Sequence, residues 1–136
     1  MAVSIPDSHR DLLDGPVVVA LITVMPDGQP QATPVWCNTE GDHILVNTAR
    51  GRQKDRNMSR NPKVTLLAID PKNPFRWIEV RGQVVEITEK GAVEHINALS
   101  KLYTGNPDYY SFNPAAKGKE TRVIYRIEPH RVVAFG

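Results

Sequence analysis

The residues best suited to chemistry lie in one short basic segment, residues 50–60. Five of the 17 lysines and arginines fall there, but only one of the 15 acidic residues, so the segment has a formal charge of +4. Because the whole chain has a formal charge of +2, the remainder is slightly acidic. Such a local excess favours an anionic ligand. The basic residues are Arg50, Arg52, Lys54, Arg56 and Arg60, and the acid is Asp55.

The position of this segment favours a phosphate group as the ligand. It lies where a predicted strand ends and a predicted helix begins, a junction that offers free backbone N–H groups and the positive end of a helix dipole. Gly51 would let the backbone close around an anion. Arg52 has the planar fork that binds two phosphate oxygens, and Lys54 adds a compact charge. The alternative is that the segment is only the solvated basic face of a short helix.

Other catalytic and metal-binding patterns are absent from the sequence. No two of the four histidines have the i, i+4 spacing of a helical metal pair, so we expect no metal site. The P-loop, the Rossmann glycine pattern and the Gly-x-Ser-x-Gly nucleophile elbow are also missing. The single cysteine, Cys37, follows Trp36 in an apolar segment and favours a packed thiol over a nucleophile. No catalytic residue is identified.

Aromatic residues are concentrated late in the chain. Tyr103 has helical spacing with apolar residues, which predicts a place in the core. Tyr109, Tyr110 and Phe112 fall in a polar loop, where they either cap a pocket or simply pack. Trp77 begins a long predicted strand and either lines the cavity of a flat ligand or seals one end of a barrel.

The pattern of apolar residues and turns predicts a mainly β chain. Pro30 and Pro34 would lie on one face of the second strand and make it an edge or bulged strand. Gly82 predicts a bulge or sharp bend, and residues 128–130 predict a turn before the last strand. The predicted strands cover residues 17–25, 29–37, 43–48, 64–69, 77–87, 122–127 and 131–135.

Short helices are predicted at three places. One covers residues 6–14, with Leu12 and Leu13 buried, and another covers residues 53–60 and is stopped by Asn61-Pro62. The third starts at Thr88 as N-cap and buries one face. That face consists of Ala92, Ile96, Leu99 and Tyr103.

These elements predict a small antiparallel barrel that carries helices, or an α+β sandwich. The 136 residues are expected to form a single domain over residues 1–136. A net charge of +2 argues against a nucleic-acid partner. The longest strongly apolar stretch, residues 17–22, is far shorter than the ~20 residues that span a bilayer, and residues 1–10 lack the core of a signal peptide. We therefore expect a cytoplasmic protein with no membrane partner.

The order of these elements resembles the pyridoxamine 5'-phosphate oxidase-like split β-barrel proteins, which are flavin and deazaflavin oxidoreductases. The resemblance covers roughly residues 8–135. Within this family the motif Arg-x-Lys-x-Arg-Asn at residues 52–57 is similar to the branch that uses the deazaflavin coenzyme F420. The stretches that carry the resemblance are residues 20–36, residues 44–57 with 61–64, residues 77–86 and residues 122–132.

The resemblance implies a mainly β split barrel with a few short helices and an F420-dependent reductase. Such an enzyme would transfer hydride from the reduced deazaflavin to a small unsaturated or quinone-like substrate. The alternatives are an FMN-dependent oxidase or reductase of the same fold, and a non-catalytic module that binds a cofactor or haem. The resemblance also implies a homodimer with cofactor sites at the subunit interface.

The same resemblance implies three groups of cofactor-binding residues. Arg52 and Lys54, together with Arg56, would hold the cofactor phosphate. One strand would lie along the ring system, and the strand that enters the basic segment would also approach the cofactor. The residues of these two strands are Thr33, Pro34 and Val35, and Asn47, Thr48 and Ala49.

Overall fold

The computed structural model describes residues 2–136 and contains seven strands, three α-helices and three short 3-10 helices. The strands are β1 Val19–Val24, β2 Pro30–Val35, β3 Cys37–Glu40, β4 His43–Ala49, β5 Lys63–Ile69, β6 Trp77–Thr88 and β7 Arg122–Phe135. The α-helices are α1 Asp11–Asp14, α2 Gln53–Arg60 and α3 Ala92–Thr104. The 3-10 helices are Asp7–His9, Tyr109–Ser111 and Pro114–Ala116.

All seven strands form one antiparallel sheet in the order β2-β1-β5-β6-β7-β4-β3. The two edge strands, β2 and β3, follow each other in the chain and are separated by Trp36 alone. One residue spans only a few ångströms, so the opposite edges of the sheet must meet there. The sheet therefore curls into a barrel that is open between β2 and β3, where the ladder has no pairing.

The core lies inside this curled sheet. Strand β1 alternates buried and half-buried residues, as expected for a strand with one inward face. Strand β4 differs, because Ile44 to Ala49 are all buried. Its Ile44 and Val46 belong to the central core, whereas Asn47 donates a hydrogen bond to the Ala92 carbonyl of α3. Helix α3 thus covers the outer face of β4.

Two predicted strand boundaries are wrong. Residues 29–37 form not one strand but β2 and β3, because the chain leaves one sheet edge and joins the other at Trp36. Residues 128–130 do not form a turn, and β7 is continuous. Opposite them, the register shifts between Arg81 and Gly82, so that Gly82 pairs with Pro129. Proline lacks an N–H donor and is tolerated at such a bulge.

The predictions for Gly82 and for the edge strand are confirmed. A Cβ at Gly82 would clash with the carbonyl oxygen of Glu128 and lie 3.1 Å from Ile127 Cγ2. Glycine is therefore required where β6 and β7 approach at the bulge. Strand β2, which carries Pro30 and Pro34, lies at an edge of the sheet.

Helix α2 has the predicted bounds, and the predicted buried face of α3 is confirmed at Ala92, Ile96 and Leu99. The predicted N-cap at Thr88 is wrong. Thr88 is the last residue of β6, where it pairs with Ile124, and Gly91 precedes the helix with a φ of 78°. Residues 6–14 form two separate short helical turns, which still bury Leu12 and Leu13.

Candidate functional site

A cavity of about 290 Å³ opens where β2 passes into β3. Its wall is largely apolar and aromatic, with the Tyr109 hydroxyl among the aromatic groups, and it also carries three cations and one amide. Such a combination is typical of a small-molecule site, since the apolar wall excludes water and the polar groups fix the ligand. The apolar and aromatic lining consists of Val18, Pro34, Val35, Trp36, Ile96 and Tyr109. The polar lining consists of Asn47, Arg52, Lys54 and Arg122.

Lys54 is the clearest sign of an anion site. Its ammonium has no hydrogen-bond or ion-pair partner among residues 2–136, although it is half-buried in the second position of α2. Burial lowers the pKa of Lys54, and the neighbouring charges of Arg52 and Arg122 lower it further. An anion placed among these three groups would relieve their mutual repulsion.

The start of α2 adds further donors to the same place. Arg52 is the N-cap residue, and no side chain caps the first-turn amides of the helix. Those amides have no acceptor within the helix, so they are available to an anion. The Arg52 guanidinium is held loosely, with Nη2 3.5 Å from Glu120 Oε2.

The other basic residues of the segment bind the protein rather than the cavity. Arg50 forms ion pairs with Asp55 at 3.0 Å and Glu89 at 2.9 Å. Arg56 donates to the Gly51 carbonyl and to Gln53. Arg60 donates to the Val24 carbonyl and to Asn57. The local charge of +4 is thus divided, and only Arg52 and Lys54 face the cavity from this segment.

Asp55, the one acid of the segment, holds the loop before α2 in place. Burial alone would raise the pKa of Asp55, but hydrogen bonds from the Tyr125 hydroxyl, the Gly51 N–H and Arg50 outweigh burial and hold the pKa below its usual value. The carboxylate therefore stays charged. It fixes the Gly51 backbone, which has a φ of 91°, next to the first turn of the helix.

The cavity brings together five of the nine residues assigned to cofactor binding from the resemblance. They are Pro34, Val35, Asn47, Arg52 and Lys54. The others lie outside its lining. Thr33 lines a neighbouring apolar cleft, while Thr48 and Ala49 are buried in β4 and Arg56 is bound to the protein as described above.

Several lining residues were not among the assigned ones. Trp36 and Ile96 gave no chemical signal, because each belongs to an ordinary apolar pattern. For Tyr109 the choice between pocket and packing was open, and it lines the cavity with its ring centroid 6.1 Å from that of Trp36. Arg122 reaches the site only because β7 pairs with β4, where Arg122 lies opposite Ala49. No local pattern reveals such a pairing.

The remaining aromatic residues and the cysteine do not line the cavity. Tyr103 is half-buried, and its hydroxyl accepts from the Cys37 N–H at 3.0 Å and donates to the Val17 carbonyl at 2.8 Å. Tyr110 is buried and donates to Glu120, Phe112 is exposed, and Trp77 stacks on Phe135 at the outside of the sheet. Cys37 is fully buried, and burial raises its thiol pKa to about 12, so it is the packed thiol that was predicted.

Neither a metal-binding cluster nor a helix able to span a membrane is present in residues 2–136. No group of three or more histidine, cysteine, aspartate or glutamate side chains is close enough together to hold a metal ion. None of the helices in this part of the chain combines the length and the apolar character needed to cross a bilayer.

Comparison with known proteins places these features in a family. The sequence profile of the pyridoxamine 5'-phosphate oxidase family matches residues 5–135. An F420 reductase of known structure is 32% identical, with a TM-score of 0.81 over 95% of this chain and 98% of that one. A conserved hypothetical protein of Mycobacterium tuberculosis is 25% identical, with a TM-score of 0.76 over 98% of this chain and 86% of that one.

A curated relative, the pyridoxine/pyridoxamine 5'-phosphate oxidase of Rhodopseudomonas palustris, is 31% identical over 96 residues. The match covers 70% of this chain and 45% of the relative, so the chain spans about half the length of that protein. The mainly β split-barrel fold with a few short helices is confirmed by these structures. The chain therefore belongs to the pyridoxamine 5'-phosphate oxidase family.

Proposed function

We propose that this protein is a reductase that uses the deazaflavin F420 to transfer hydride to a small unsaturated or quinone-like substrate. The observation that carries the proposal is the Lys54 ammonium, which has no partner among residues 2–136 and lies near two guanidinium groups beside an apolar, aromatic wall. This arrangement suits a ligand with a phosphate at one end and a flat ring at the other. The likeness to an F420 reductase over nearly the whole of both chains supports the choice of cofactor.

The residues of the cavity fit such a cofactor in two parts. Lys54, Arg52 and the first-turn amides of α2 would hold the phosphate. Pro34, Val35 and Trp36, at the open seam of the barrel, would lie against the ring system. When bound, a reduced deazaflavin supplies the hydride, whereas the protein supplies binding and orientation.

The chain's own contribution to the reaction is to orient the reactants and to exclude water. Val18, Ile96 and the aromatic residues give the cavity a mostly apolar wall, which protects a hydride donor from solvent. Among the lining residues, Tyr109 has the only hydroxyl group. The proton that completes a reduction would come from Tyr109 or from solvent.

FMN is the second candidate cofactor, because the same cation cluster would hold its phosphate. An FMN-dependent enzyme of this fold would differ in its reaction with oxygen, since a flavin passes single electrons and a deazaflavin is essentially a hydride carrier. The third candidate function is a non-catalytic module that binds a cofactor or haem. It would bind tightly yet reduce no member of a panel of enones, quinones and tetrapyrroles.

Titration of cofactor-stripped protein with FMN and with F420, followed by ligand fluorescence, tests the proposal. We expect F420 to bind more tightly than FMN, and the reduced form to be oxidised in the presence of an enone or quinone. Tighter binding of FMN would favour the second candidate. Failure of both to bind would refute the assignment of the cavity as a cofactor site.

We also propose that the protein is a homodimer formed through the outer face of β1, β5 and β6. Two shallow clefts cover this face, and their apolar lining includes Leu67, Ile69 and Trp77. Val18 is 57% exposed and, with Pro34, lines both the cofactor cavity and the adjoining cleft. A second copy seated on this face would therefore border the site, and patches of exposed apolar residues of this kind mark interaction surfaces.

Replacing Ile69 with glutamate is expected to convert the dimer into a monomer, because the new carboxylate would have to lose its water at an apolar part of the interface. Size-exclusion chromatography with light scattering measures the mass. Val93→Glu is the matched control, since Val93 and Ile69 are both 46% exposed but Val93 lies on α3. Equal masses for the wild type and Ile69→Glu would contradict the proposed interface.

A further inference from the structure

Arg122 is a buried cation with one free end. Its exposed fraction is only 3%, yet it lines the cavity. Nε donates to Asn47 Oδ1 at 2.8 Å, and Nη1 donates to Glu120 Oε1 at 3.1 Å. The guanidinium carbon lies 5.0 Å from the centre of the Tyr109 ring. The remaining nitrogen, Nη2, has no partner among residues 2–136.

The charges around Arg122 leave room for an anion. Glu120 is the one carboxylate in this cluster, and it is shared between Arg122, the more distant Arg52 and the Tyr110 hydroxyl. Three cations therefore face one acid, because Lys54 has no acidic partner in the part of the chain that the structure describes. A buried charge is stable when it is paired and hydrogen-bonded. Arg122 is paired with Glu120 and bonded to Asn47, but its Nη2 still lacks an acceptor among residues 2–136.

The direction of Arg122 is set by Asn47. The Asn47 amide nitrogen donates to the Ala92 carbonyl at 2.8 Å and is 3.0 Å from His95 Nδ1. An amide nitrogen can only donate, so His95 Nδ1 must be the acceptor and the ring proton must be on Nε2. Nε2 in turn donates to Asn38 Oδ1 at 2.8 Å. The Asn47 carbonyl oxygen is thereby turned toward Arg122.

His95 remains in this role over the ordinary pH range. It is half-buried, and burial together with the charge of Arg122 lowers its pKa to about 4. A neutral ring can accept the hydrogen bond from Asn47, whereas a protonated ring could not. The hydrogen-bonded series from Asn38 through His95 and Asn47 to Arg122 is thus complete.

We propose that Arg122 is a third anion-binding residue of the cavity, which donates through Nη2 to a phosphate oxygen of the ligand, and that His95 is its positioning residue, acting through Asn47. The inference rests on the proposed function, since it assumes that a phosphate-bearing cofactor enters the cavity. It extends the anion site from the basic segment to the start of β7, where Arg122 pairs with Ala49 of β4. Arg122 and Lys54 then hold the anion from β7 and α2.

Two pairs of probes separate the phosphate from the ring. FMN is compared with riboflavin, which lacks only the phosphate, by fluorescence titration of wild type and Arg122→Gln. F420 is compared in the same way with 8-hydroxy-5-deazariboflavin, which lacks the phosphate and the carboxylate tail attached to it. We expect the substitution to lower the affinity for the phosphate-bearing probe by about 10- to 100-fold, which is the effect of losing one charge-assisted hydrogen bond. The affinity for the phosphate-free probe should change by less than about twofold.

Arg126→Gln is the matched control for Arg122→Gln. Arg126 lies four residues further along β7 and is also ion-paired, to Glu40 and Glu86, but it does not line the cavity. Its substitution should leave the ratio of the two affinities unchanged. Should Arg122→Gln fail to fold, Arg122→Lys is used instead. Lysine keeps the charge but lacks the planar fork needed to donate to Asn47, Glu120 and the ligand together. Arg122→Lys should therefore show the same selective loss of affinity for the phosphate-bearing probe.

A second pair of variants tests His95. Phenylalanine at this position cannot accept from Asn47, so His95→Phe should reproduce part of the selective loss of phosphate affinity. Glutamine can accept from Asn47 and donate to Asn38, so His95→Gln should keep the affinity for the phosphate-bearing probe near that of the wild type. A purely structural role would lower the affinities for both members of a pair equally.

The outcomes distinguish this inference from the proposed function. Wild-type protein that binds none of the four probes would overturn the proposed function and the role of Arg122 with it. Wild-type protein that binds a phosphate-bearing probe, together with an Arg122→Gln variant whose affinity ratio is unchanged, would overturn the role of Arg122 alone. A selective loss in Arg122→Gln without one in His95→Phe would overturn the positioning role.

Discussion

Replacing Lys54 with glutamate is expected to weaken the binding of F420 or FMN by more than about tenfold while the protein stays folded. The ammonium has no partner to lose among residues 2–136, and its repulsion from Arg52 and Arg122 disappears in the variant. The new carboxylate, however, would bind those two guanidiniums itself and repel the incoming phosphate. Fluorescence titration measures the affinity, and urea unfolding measures the stability.

Lys101→Glu serves as the control for this charge reversal. Lys101 is an exposed lysine on α3 that does not line the cavity. Its replacement by glutamate changes the net charge by the same amount, but it should leave the affinity for the cofactor unchanged. Lys54→Met removes the charge without reversing it and should give an intermediate affinity. An affinity of Lys54→Glu equal to that of the wild type would show that the phosphate does not bind at this place.

The largest effect on stability is expected from Gly82→Ala. The added methyl group would clash with the Glu128 carbonyl oxygen and crowd the Ile127 side chain, and both residues belong to β7 at the bulge. Neither can move without disturbing the central β6–β7 pairing of the sheet. We expect the free energy of unfolding to fall by about 3 kcal/mol, as measured by urea denaturation.

Val85→Ala is the control on the same strand. Val85 is exposed, so its truncation should change the free energy of unfolding by less than about 0.5 kcal/mol. If Gly82→Ala were as stable as Val85→Ala, the two strands would not approach at the bulge as closely as described.

Local rules were sufficient where local signals were strong. Helix α2 ends as predicted because Asn61-Pro62 stops it, and β2 lies at an edge because its two prolines cannot donate to a ladder. The turn predicted at residues 128–130 was wrong for a related reason, since it was based on Pro129. A proline between apolar runs usually indicates a turn, but here its missing N–H is accommodated by the bulge opposite Gly82.

The site was predictable only in part, for a physical reason. Summing the charges of residues 50–60 locates the cationic part of the cavity, yet it does not reveal that Arg50, Arg56 and Arg60 are bound to protein groups. Arg122 could not be found at all, because its place depends on the register of β4 with β7. The role of Trp36 could not be predicted either, because the seam between β2 and β3 forms only once the whole sheet has curled.

The residues that meet at the cavity are far apart along the chain, and this separation bears on folding. Asn47 and Arg122, which share a hydrogen bond, are 75 residues apart. Joining segments so distant costs loop-closure entropy before any contact repays it, so local hairpins such as β1–β2 form more readily than the β4–β7 pairing. The cavity is accordingly completed only when the barrel is. A cofactor that binds there stabilises the finished fold by mass action and gives no help to a partly folded chain.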